Sequence, residues 1–411
     1  MKILHTSDWH LSRRLYKIRR RYHEFSSFLN WLIELINERE IEVLIVAGDI
    51  FDSSAPTNRA QTLYYDFLRK IAISPSCRHV IVTSGNHDSP SFLEAPASLL
   101  KSMGIYVVGL ADAELNKEIL ILKDLQGHPE MIVCAIPYLR EGDLRSAQLG
   151  ESSASREEKI NTAISEKYQM AFQKAKEINL SLNRNLPMVA IGHLFMRGGM
   201  TLEGDGVRES RVGSLSALPI EAMPAFDYLA LGHLHIPQRV GGNELIRYSG
   251  SPIPMGFNEC GQQKSLCLVE FNQESPPRIE LIKVPVFQEL RRLEGDLNNL
   301  VKELTQMKAL GSEAWVDVTH LGQPLEIDLR ASLEAAVEGS KIEILAIRQA
   351  SLRNAALSLA EESHCLERLG PKEVFIKLLE DQETPKEYWL ELTDCYEQIL
   401  TDLLEQDSLE Q

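Results

Sequence analysis

The chain has 411 residues and a formal net charge of −16. Its composition is that of a globular protein, with 44% apolar and 25% charged residues, and it contains no run of 18 apolar residues that could span a membrane. The negative charge taken alone argues against a nucleic-acid partner. The charge is uneven, however, because residues 351–411 carry 5 Lys/Arg and 15 Asp/Glu, a balance of 5 − 15 = −10.

Two features of the sequence favour the cytoplasm. The first apolar run begins at Met1 and leads directly into Asp8, which leaves no room for a cleaved signal peptide. The six cysteines show no C-x-x-C spacing, so neither structural zinc nor a disulfide framework is expected.

Short apolar runs rich in Val and Ile predict strands that are mostly buried on both faces. These runs are Lys2–Leu4, Val43–Ala47, Val80–Thr83, Ile105–Val108, Met131–Ala135, Met188–Ile191, Tyr228–Leu231, Ser265–Phe271 and Ile279–Val284. Helical patterns such as Phe25–Asn37 and Ala60–Ile71 alternate with the early runs, so we expect an α/β domain with a layered sheet core. The polar, mostly helical stretch Gln148–Arg184 is expected to be an excursion on the surface.

The pattern of apolar and polar residues changes twice along the chain, and these changes predict three parts. Residues 1–285 form the large domain, and residues 286–350 show a β-α-β-α-β pattern of the size of a small domain. Residues 351–411 begin as a polar linker and end in two helices, which open with Pro371 and Pro385 near the first turn.

Polar side chains follow five of the predicted strands. The motifs, in chain order, are D-x-H, G-D-x-x-D, G-N-H-D, G-H and G-H-x-H. Because the carboxyl ends of strands in α/β sheets are where sites assemble, these side chains are candidate metal ligands. The candidates are Asp8, His10, Asp49, Asn86, His193, His233 and His235.

The candidate ligands indicate a particular chemistry. Carboxylate, amide and imidazole groups without thiolate suit Mn²⁺, Fe²⁺ or Zn²⁺ better than Mg²⁺ alone. Seven ligands are too many for one ion and fit two ions that share a bridging ligand, an arrangement that promotes in-line displacement at phosphorus. His87 remains as a proton donor to the leaving oxygen, and Asp52 could hold its imidazole in place.

These motifs resemble those of the calcineurin-like metallophosphoesterase superfamily. The segments HTSDWHL, VAGDIFD, GNHDSP, ALGHLH and RYSGSPIPMGFNECGQQKS further resemble the nuclease subunits of bacterial SbcCD complexes. The resemblance is close over residues 1 to about 285 and differs mildly at Ser12, where relatives often carry Gly. It implies a layered α-β-β-α sandwich with a small α/β capping domain that binds DNA, followed by C-terminal helices.

The resemblance also implies the roles of the site residues. One Mn²⁺ would be held by Asp8, His10, Asp49 and His235, and the other by bridging Asp49 with Asn86, His193 and His233. His87 would be the catalytic acid, supported by Asp52. Mg²⁺ or another divalent ion remains possible. Such enzymes degrade duplex DNA ends, cut single strands and hairpins, and work with an SbcC-type, SMC-like ATPase. This chain has no ATP-binding G-x-x-x-x-G-K-[ST] motif of its own.

Interaction surfaces are expected in three places. A basic run beside the D-x-H loop, with a weaker candidate after the His193 strand, could contact DNA phosphates. These residues are Arg13, Arg14, Lys17, Arg19, Arg20, Arg21 and Arg197. Apolar residues of the terminal helices could bind the ATPase or pack within their own domain. These residues are Phe375, Leu378, Tyr388, Trp389, Leu392, Tyr396, Ile399 and Leu403.

A homodimer is expected through helices near Ala60–Ile71 and Phe92–Met103, because both carry more apolar residues than one buried face needs. Two other functions remain open at this point. The chain could be a phosphodiesterase or phosphatase acting on a small nucleotide or a phosphoprotein, or it could be a non-catalytic scaffold. The RYSGSPIPMGFNECGQQKS stretch argues against the first, and the complete ligand set argues against the second.

Overall fold

The computed structural model describes residues 1–16, 19–144, 152–200, 217–272, 275–322 and 329–350, together with seven residues between 375 and 396. The chain divides into two compact units, residues 1–288 and residues 289–411. Among the described residues, no helix combines the length and apolar character needed to cross a lipid bilayer.

The first unit contains two six-stranded sheets. Neighbouring strands of the first sheet are, in order, Ser275–Lys283, Ser265–Asn272, Lys2–Thr6, Val43–Ala47, His79–Thr83 and Ile105–Val108. Neighbouring strands of the second sheet are Gln238–Val240, Asn243–Tyr248, Tyr228–Gly232, Met188–His193, Pro129–Ala135 and Ile119–Lys123. The central strands of each sheet run parallel, so their carboxyl ends share one edge.

The two sheets lie face to face between two layers of helices. Along Lys2–Thr6, Ile3 faces the second sheet and Leu4 faces the helices, because successive side chains of a strand point to opposite faces. Helices Tyr22–Glu38, Asn58–Ile71, Pro90–Glu94 and Ala97–Lys101 pair with the first sheet. Helices Glu141–Leu144 and Ser153–Ser181 pair with the second. The expected layered α/β architecture is therefore confirmed.

The helix Ser153–Ser181 corrects the expectation that this stretch is a surface excursion. Ile160, Ile164, Tyr168 and Ala171 along it are at most 5% exposed and belong to the core under the second sheet. Their spacing of three or four residues places them on one helical face, which packs on the sheet while the other face meets water. The helix is thus an outer layer of the fold.

The first unit also contains short elements that the apolar pattern did not predict. Strands Arg14–Leu15 and Arg19–Arg20 pair antiparallel beside the D-x-H loop. One-turn 3₁₀ helices lie at Ile220–Ala222 and Phe257–Glu259.

The second unit contains a parallel three-stranded sheet in the order Leu290–Gly295, Trp315–His320 and Glu343–Gln349. Helices Leu297–Ala309 and Leu329–Val337 pack on this sheet. In the C-terminal part, the rings of Phe375 and Tyr396 stack with their centroids 4.1 Å apart.

Candidate metal centre

The candidate ligands come from strands of both sheets. Three strands of the first sheet, Lys2–Thr6, Val43–Ala47 and His79–Thr83, precede the loops of the first four ligands. Strand Met188–His193 of the second sheet ends at His193, and strand Tyr228–Gly232 is followed by His233 and His235. Because the two sheets face each other, their shared edge brings these loops together.

The loop backbone is strained at the ligand positions. Asp8, His10, Asp49 and His233 all have positive φ angles, of 52°, 44°, 50° and 103°. Non-glycine residues in this region cost free energy and persist where the surroundings enforce them, which is common at functional sites. Here two backbone hydrogen bonds of 3.0 Å hold the loops in register, from Asp8 N to the Gly48 carbonyl and from His10 N to the Asp49 carbonyl.

Two glycines allow the loops to approach one another. A Cβ on Gly48, whose φ is +85°, would lie 2.1 Å from Nδ1 of His193. A Cβ on Gly85 would lie 2.1 Å from Oδ1 of Asp49. Any side chain at these positions would displace a candidate ligand.

One group of ligand atoms gathers around His10. Its Nε2 lies 3.2 Å from Nε2 of His235 and 3.5 Å from Oδ2 of Asp49. Asp8, His10 and His235 each offer an atom within 4.8 Å of the others. Two imidazole nitrogens that face each other at this distance, beside carboxylates, are typical of ligands that surround a cation.

A second group gathers around Asn86. Its Oδ1 lies 3.0 Å from both Nε2 of His193 and Nδ1 of His233. Nε2 of His193 is also 3.3 Å from Oδ2 of Asp49. The same Asp49 oxygen therefore approaches both groups, which is the position a bridging ligand requires.

The electrostatics of the centre favour bound cations. Asp8 and Asp49 are 0% and 2% exposed, and buried carboxylates need a positive partner. Burial lowers the pKa of His193, but the charge of Asp49 outweighs burial and raises this pKa to about 9. Burial and the charge of His193 lower the pKa of His233 to about 3, which leaves its ring neutral and able to coordinate. Oxygen and imidazole donors of this kind fit divalent metal ions.

His87 lies at the rim of this centre. Its backbone N–H donates to Oδ1 of Asp49 at 2.9 Å, and its ring stands 4.9 Å from that of His10. Burial lowers the pKa of His87 below its ordinary value although Asp49 opposes this, so the protonated ring is a stronger proton donor. His87 also shares a cluster of possible ligand atoms with His10 and Asp49.

Asp52 contacts His87 differently from the sequence prediction. Nδ1 of His87 faces the backbone carbonyl of Asp52 at 3.0 Å. The carboxylate of Asp52 instead lies 3.3 Å from Nδ1 of His10 and accepts a hydrogen bond from Arg13 at 3.1 Å. The carboxylate of Asp52, which was expected to contact the imidazole of His87, therefore contacts His10. The imidazole of His87 contacts the backbone carbonyl of Asp52.

Glu259 is a site residue that the sequence analysis missed. It is fully buried, and its carboxylate approaches Nδ1 of His235 and Nζ of Lys264. Burial would raise the pKa of Glu259, but His235 and Lys264 outweigh burial and lower it to about 2. The only sequence signal was its place in the segment RYSGSPIPMGFNECGQQKS, which carries no metal motif.

The basic residues are used in several ways. Arg21 is 2% exposed, donates to both carboxylate oxygens of Glu24 at 2.7 and 2.8 Å, and also donates to the carbonyl of Pro254. The expectation that Arg21 contacts DNA is therefore wrong, because its guanidinium is part of the core. Arg20 and Arg197 are exposed.

The remaining basic residues differ in what the structure describes. Arg13 and Arg14 are half-buried, and Arg13 is paired with Asp52. Lys17 lies outside the described residues, and only the backbone of Arg19 is described.

The predicted partner-binding residues are described only in part. Phe375, Trp389, Leu392 and Tyr396 are helical, and Leu392 is 39% exposed. The remaining candidates, Leu378, Tyr388, Ile399 and Leu403, lie outside the described residues. The stacking of Phe375 on Tyr396 uses one face of each ring within the chain itself.

The apolar surplus expected at the dimer helices is smaller than predicted. Tyr64, Phe67 and Leu68 are at most 2% exposed and pack in the core of their own chain. Within the second range, Phe92–Met103, Leu99 and Met103 are exposed, with 68% and 41% of their surface accessible. Any dimer surface here would rest on these two residues and their neighbours.

Comparison with known proteins identifies two matching family models. The model described as calcineurin-like phosphoesterase matches residues 1–237, and the model described as the type 5 capsule protein repressor C-terminal domain matches residues 286–383. The first of these covers more than half of the chain.

Curated relatives match along most of the chain. The SbcD subunit of the nuclease SbcCD from Escherichia coli K12 is 34% identical over 385 residues, which cover 93% of this chain and 94% of the relative. The proteins of the same name from Rhodobacter capsulatus and Bacillus subtilis are each 32% identical, over 68% and 66% of both chains respectively.

Proposed function

This chain belongs to the SbcD family of calcineurin-like phosphoesterases, and on that basis we propose that it is a metal-dependent DNA nuclease, the nuclease subunit of an SbcCD complex. Its reaction is hydrolysis of phosphodiester bonds in DNA, as a duplex-end exonuclease and as an endonuclease on single strands and hairpins. The observation that carries the proposal is the approach of one Asp49 oxygen to His10 and His193, which joins two groups of ligand atoms.

Two Mn²⁺ ions fit the donor atoms, with Mg²⁺ or another divalent ion as a substitute. Asp8, His10, Asp49 and His235 would hold one ion. Asp49, Asn86, His193 and His233 would hold the other. When bound, such a pair supplies an activated water and the positive charge that in-line displacement at phosphorus requires.

The protein residues around the ions divide the remaining tasks. His87 stands at the rim with Nδ1 against the carbonyl of Asp52 at 3.0 Å, so its Nε2 is the nitrogen left to deliver a proton to the leaving oxygen. Its N–H bond to Asp49 fixes the distance between this proton donor and the bridging ligand. Asp52 acts mainly on His10, whose ring its carboxylate orients.

DNA is favoured over a small nucleotide or phosphoprotein by the surroundings of the centre. Arg20 is exposed on the short hairpin that follows the D-x-H loop, and Arg197 is exposed after the His193 strand. Cations beside a phosphodiester site neutralise backbone phosphates without reading sequence, which suits a nuclease acting on DNA in repair and recombination. A non-catalytic scaffold is disfavoured because every candidate ligand lies in the centre.

The partner we propose is an SbcC-type, SMC-like ATPase that docks on the C-terminal helices. Leu392 exposes part of its apolar side chain, and the chain has no G-x-x-x-x-G-K-[ST] motif, so any ATP use would come from a partner. Deletion of residues 351–411 should leave Mn²⁺ binding and basal nuclease activity intact and abolish capture of the ATPase. Full capture by the truncated chain would place the interface elsewhere, on residues 286–350.

A homodimer is proposed through the surface that contains Leu99 and Met103, since two exposed apolar side chains, one in the helix Ala97–Lys101 and one just after it, favour a two-fold contact. Light scattering of the L99D variant beside the parent protein tests this: the parent should be a dimer and the variant a monomer. The proposed compartment is a reducing cytoplasm, in keeping with the free thiols of Cys77, Cys134 and Cys267.

The experiment that tests the proposed reaction compares substrates. The purified chain is incubated with Mn²⁺ and linear duplex DNA, a hairpin oligonucleotide, a cyclic nucleotide and a phosphopeptide. We expect hydrolysis of both DNA substrates, stimulated when an SbcC-type ATPase and ATP are added. Activity confined to the cyclic nucleotide or phosphopeptide would favour the small-substrate alternative, and inactivity on all four would favour the scaffold.

A further inference from the structure

A buried carboxylate lies behind one of the proposed metal ligands. Glu259 is the last residue of the one-turn helix Phe257–Glu259 and is 0% exposed. His235 and Lys264, which flank it, are 2% and 4% exposed. Three groups that carry or can carry charge are thus enclosed together beside the centre.

The two oxygens of Glu259 have different surroundings. Oε1 lies 3.4 Å from Nδ1 of His235, and neither atom has a hydrogen-bond partner in the described part of the chain. Oε2 accepts hydrogen bonds from Nζ of Lys264 at 2.5 Å and from the backbone N–H of Met255 at 3.0 Å, with Oγ of Ser251 at 3.4 Å. Oε2 therefore binds neighbouring groups of its own loop, whereas Oε1 faces only His235.

This arrangement influences which ring nitrogen of His235 carries the hydrogen. An ionised carboxylate only accepts hydrogen bonds, so Glu259 favours the tautomer of His235 that carries its hydrogen on Nδ1. The lone pair is then on Nε2, the nitrogen that lies 3.2 Å from Nε2 of His10 inside the centre. Lys264 also donates to the carbonyl of His235 at 2.9 Å, so the ring and the backbone of this residue are held from the same side.

We propose that Glu259 is a positioning residue that fixes the tautomer and orientation of His235 for metal binding, with Lys264 holding Glu259 in place. The inference rests on the proposed function, because it takes His235 as a metal ligand. A carboxylate behind a ligating histidine fixes the ring and raises its basicity. The same relation recurs at His10, whose Nδ1 is 3.3 Å from the carboxylate of Asp52.

Metal binding provides a readout that does not depend on activity. Mn²⁺ is titrated calorimetrically into metal-free parent protein, E259Q and E118Q. Glu118 is the matched control, because it is also 0% exposed and pairs with a lysine, Lys167, at 3.0 Å. We expect two sites in the parent, a loss of about 10- to 100-fold in affinity at one site in E259Q, and parental affinities in E118Q.

A double variant separates positioning from the loss of a buried ion pair. E259Q removes the carboxylate charge that faces Nζ of Lys264, whereas E259L/K264M removes both charges and the acceptor while nearly preserving volume. We expect the folded double variant to show the same weakened site. Parental affinity at both sites in the folded double variant would overturn the positioning role while leaving the proposed function standing. Failure of the parent itself to bind two ions would instead count against the proposed function.

The unmodified protein gives a test that does not depend on folding of the variants. Nitrogen chemical shifts of ¹⁵N-histidine-labelled, metal-free protein distinguish a protonated from an unprotonated ring nitrogen, and the H235Q variant assigns the signals. We expect a hydrogen on Nδ1 of His235. An unprotonated Nδ1 would contradict the proposal, because Glu259 could not then accept a hydrogen bond from it.

Discussion

The backbone N–H of His87 donates to Oδ1 of Asp49 at 2.9 Å, so the proposed acid is tied directly to the proposed bridging ligand. The bond uses main chain of His87 and does not involve its ring. A substitution at position 87 can therefore remove the imidazole without removing the contact that helps to orient Asp49.

His87→Asn should lower hydrolysis of duplex DNA by about 100-fold or more, because general acid catalysis contributes factors of that size. Both Mn²⁺ ions should remain bound, since the ring is assigned as an acid and not as a ligand. Initial rates and metal content are measured on the same samples. Near-normal turnover would refute the acid assignment, and loss of one ion would show that His87 is a ligand.

Asp52→Ala should act through His10. Its carboxylate lies 3.3 Å from Nδ1 of His10, whereas His87 contacts the backbone carbonyl, which the substitution preserves. We expect the Mn²⁺ concentration needed for half-maximal activity to rise about 10- to 100-fold, with most of the activity restored at saturating Mn²⁺. If saturating Mn²⁺ fails to restore the rate, Asp52 supports the proton donor more than the ligand.

The neighbouring residues Arg20 and Arg21 should behave in opposite ways. Arg20→Glu changes an exposed side chain, so stability should shift by less than about 0.5 kcal/mol, while the slope of log K against log salt for DNA binding should flatten by about 0.9. Arg21→Met leaves Glu24 buried without its partner and should cost about 3 kcal/mol of unfolding free energy. Urea denaturation and salt-dependent binding isotherms check both. Equal stability of the two variants would contradict the structural role of Arg21.

Acid should destabilise the fold partly through His5. Its ring is fully buried against the Tyr228 hydroxyl at 2.9 Å, and burial lowers its pKa from 6.5 to about 3. Between these values the unfolded chain binds a proton that the folded chain does not, so the unfolding free energy falls as pH falls below 6.5. The contribution of His5 is up to about 1.4 kcal/mol per pH unit and is absent above pH 6.5.

The His5→Gln variant isolates this contribution. Urea denaturation is followed in EDTA at pH 7, 6 and 5, so that metal release does not add to the pH dependence. We expect a smaller loss of stability on acidification in His5→Gln than in the parent protein. Parallel pH profiles of the two proteins would show that His5 does not carry the effect.

The sequence predicted the parts of the fold that have strong local patterns. Strands such as Val43–Ala47 are buried on both faces, so each is a continuous apolar run, and the layered architecture follows from their alternation with helices. Strand Asn243–Tyr248 was missed because its sequence NELIRY is largely polar and lacks a continuous apolar run. The buried face of Ser153–Ser181 was readable from the four-residue spacing of Ile160, Ile164 and Tyr168, but polar composition obscured it.

The sequence predicted the candidate ligands of the centre but not Glu259, the carboxylate that contacts one of them. Ligands follow strands in short motifs, whereas Glu259 lies 24 positions after His235 and meets it only through the fold. Arg21 was misread because its place in a basic run beside the D-x-H loop suggested contact with DNA phosphates. Glu24, three residues further along, was the local signal for an ion pair on the same helical face.

The most direct test of the account counts metal ions and measures hydrolysis on the same preparations of the parent protein and His233→Ala. Nδ1 of His233 lies 3.0 Å from Oδ1 of Asn86, in the group that is distinct from the one around His10. We expect two Mn²⁺ per chain and degradation of linear duplex DNA for the parent, and one Mn²⁺ with no degradation for His233→Ala. A single ion in the active parent, or full activity in His233→Ala, would contradict a two-metal nuclease.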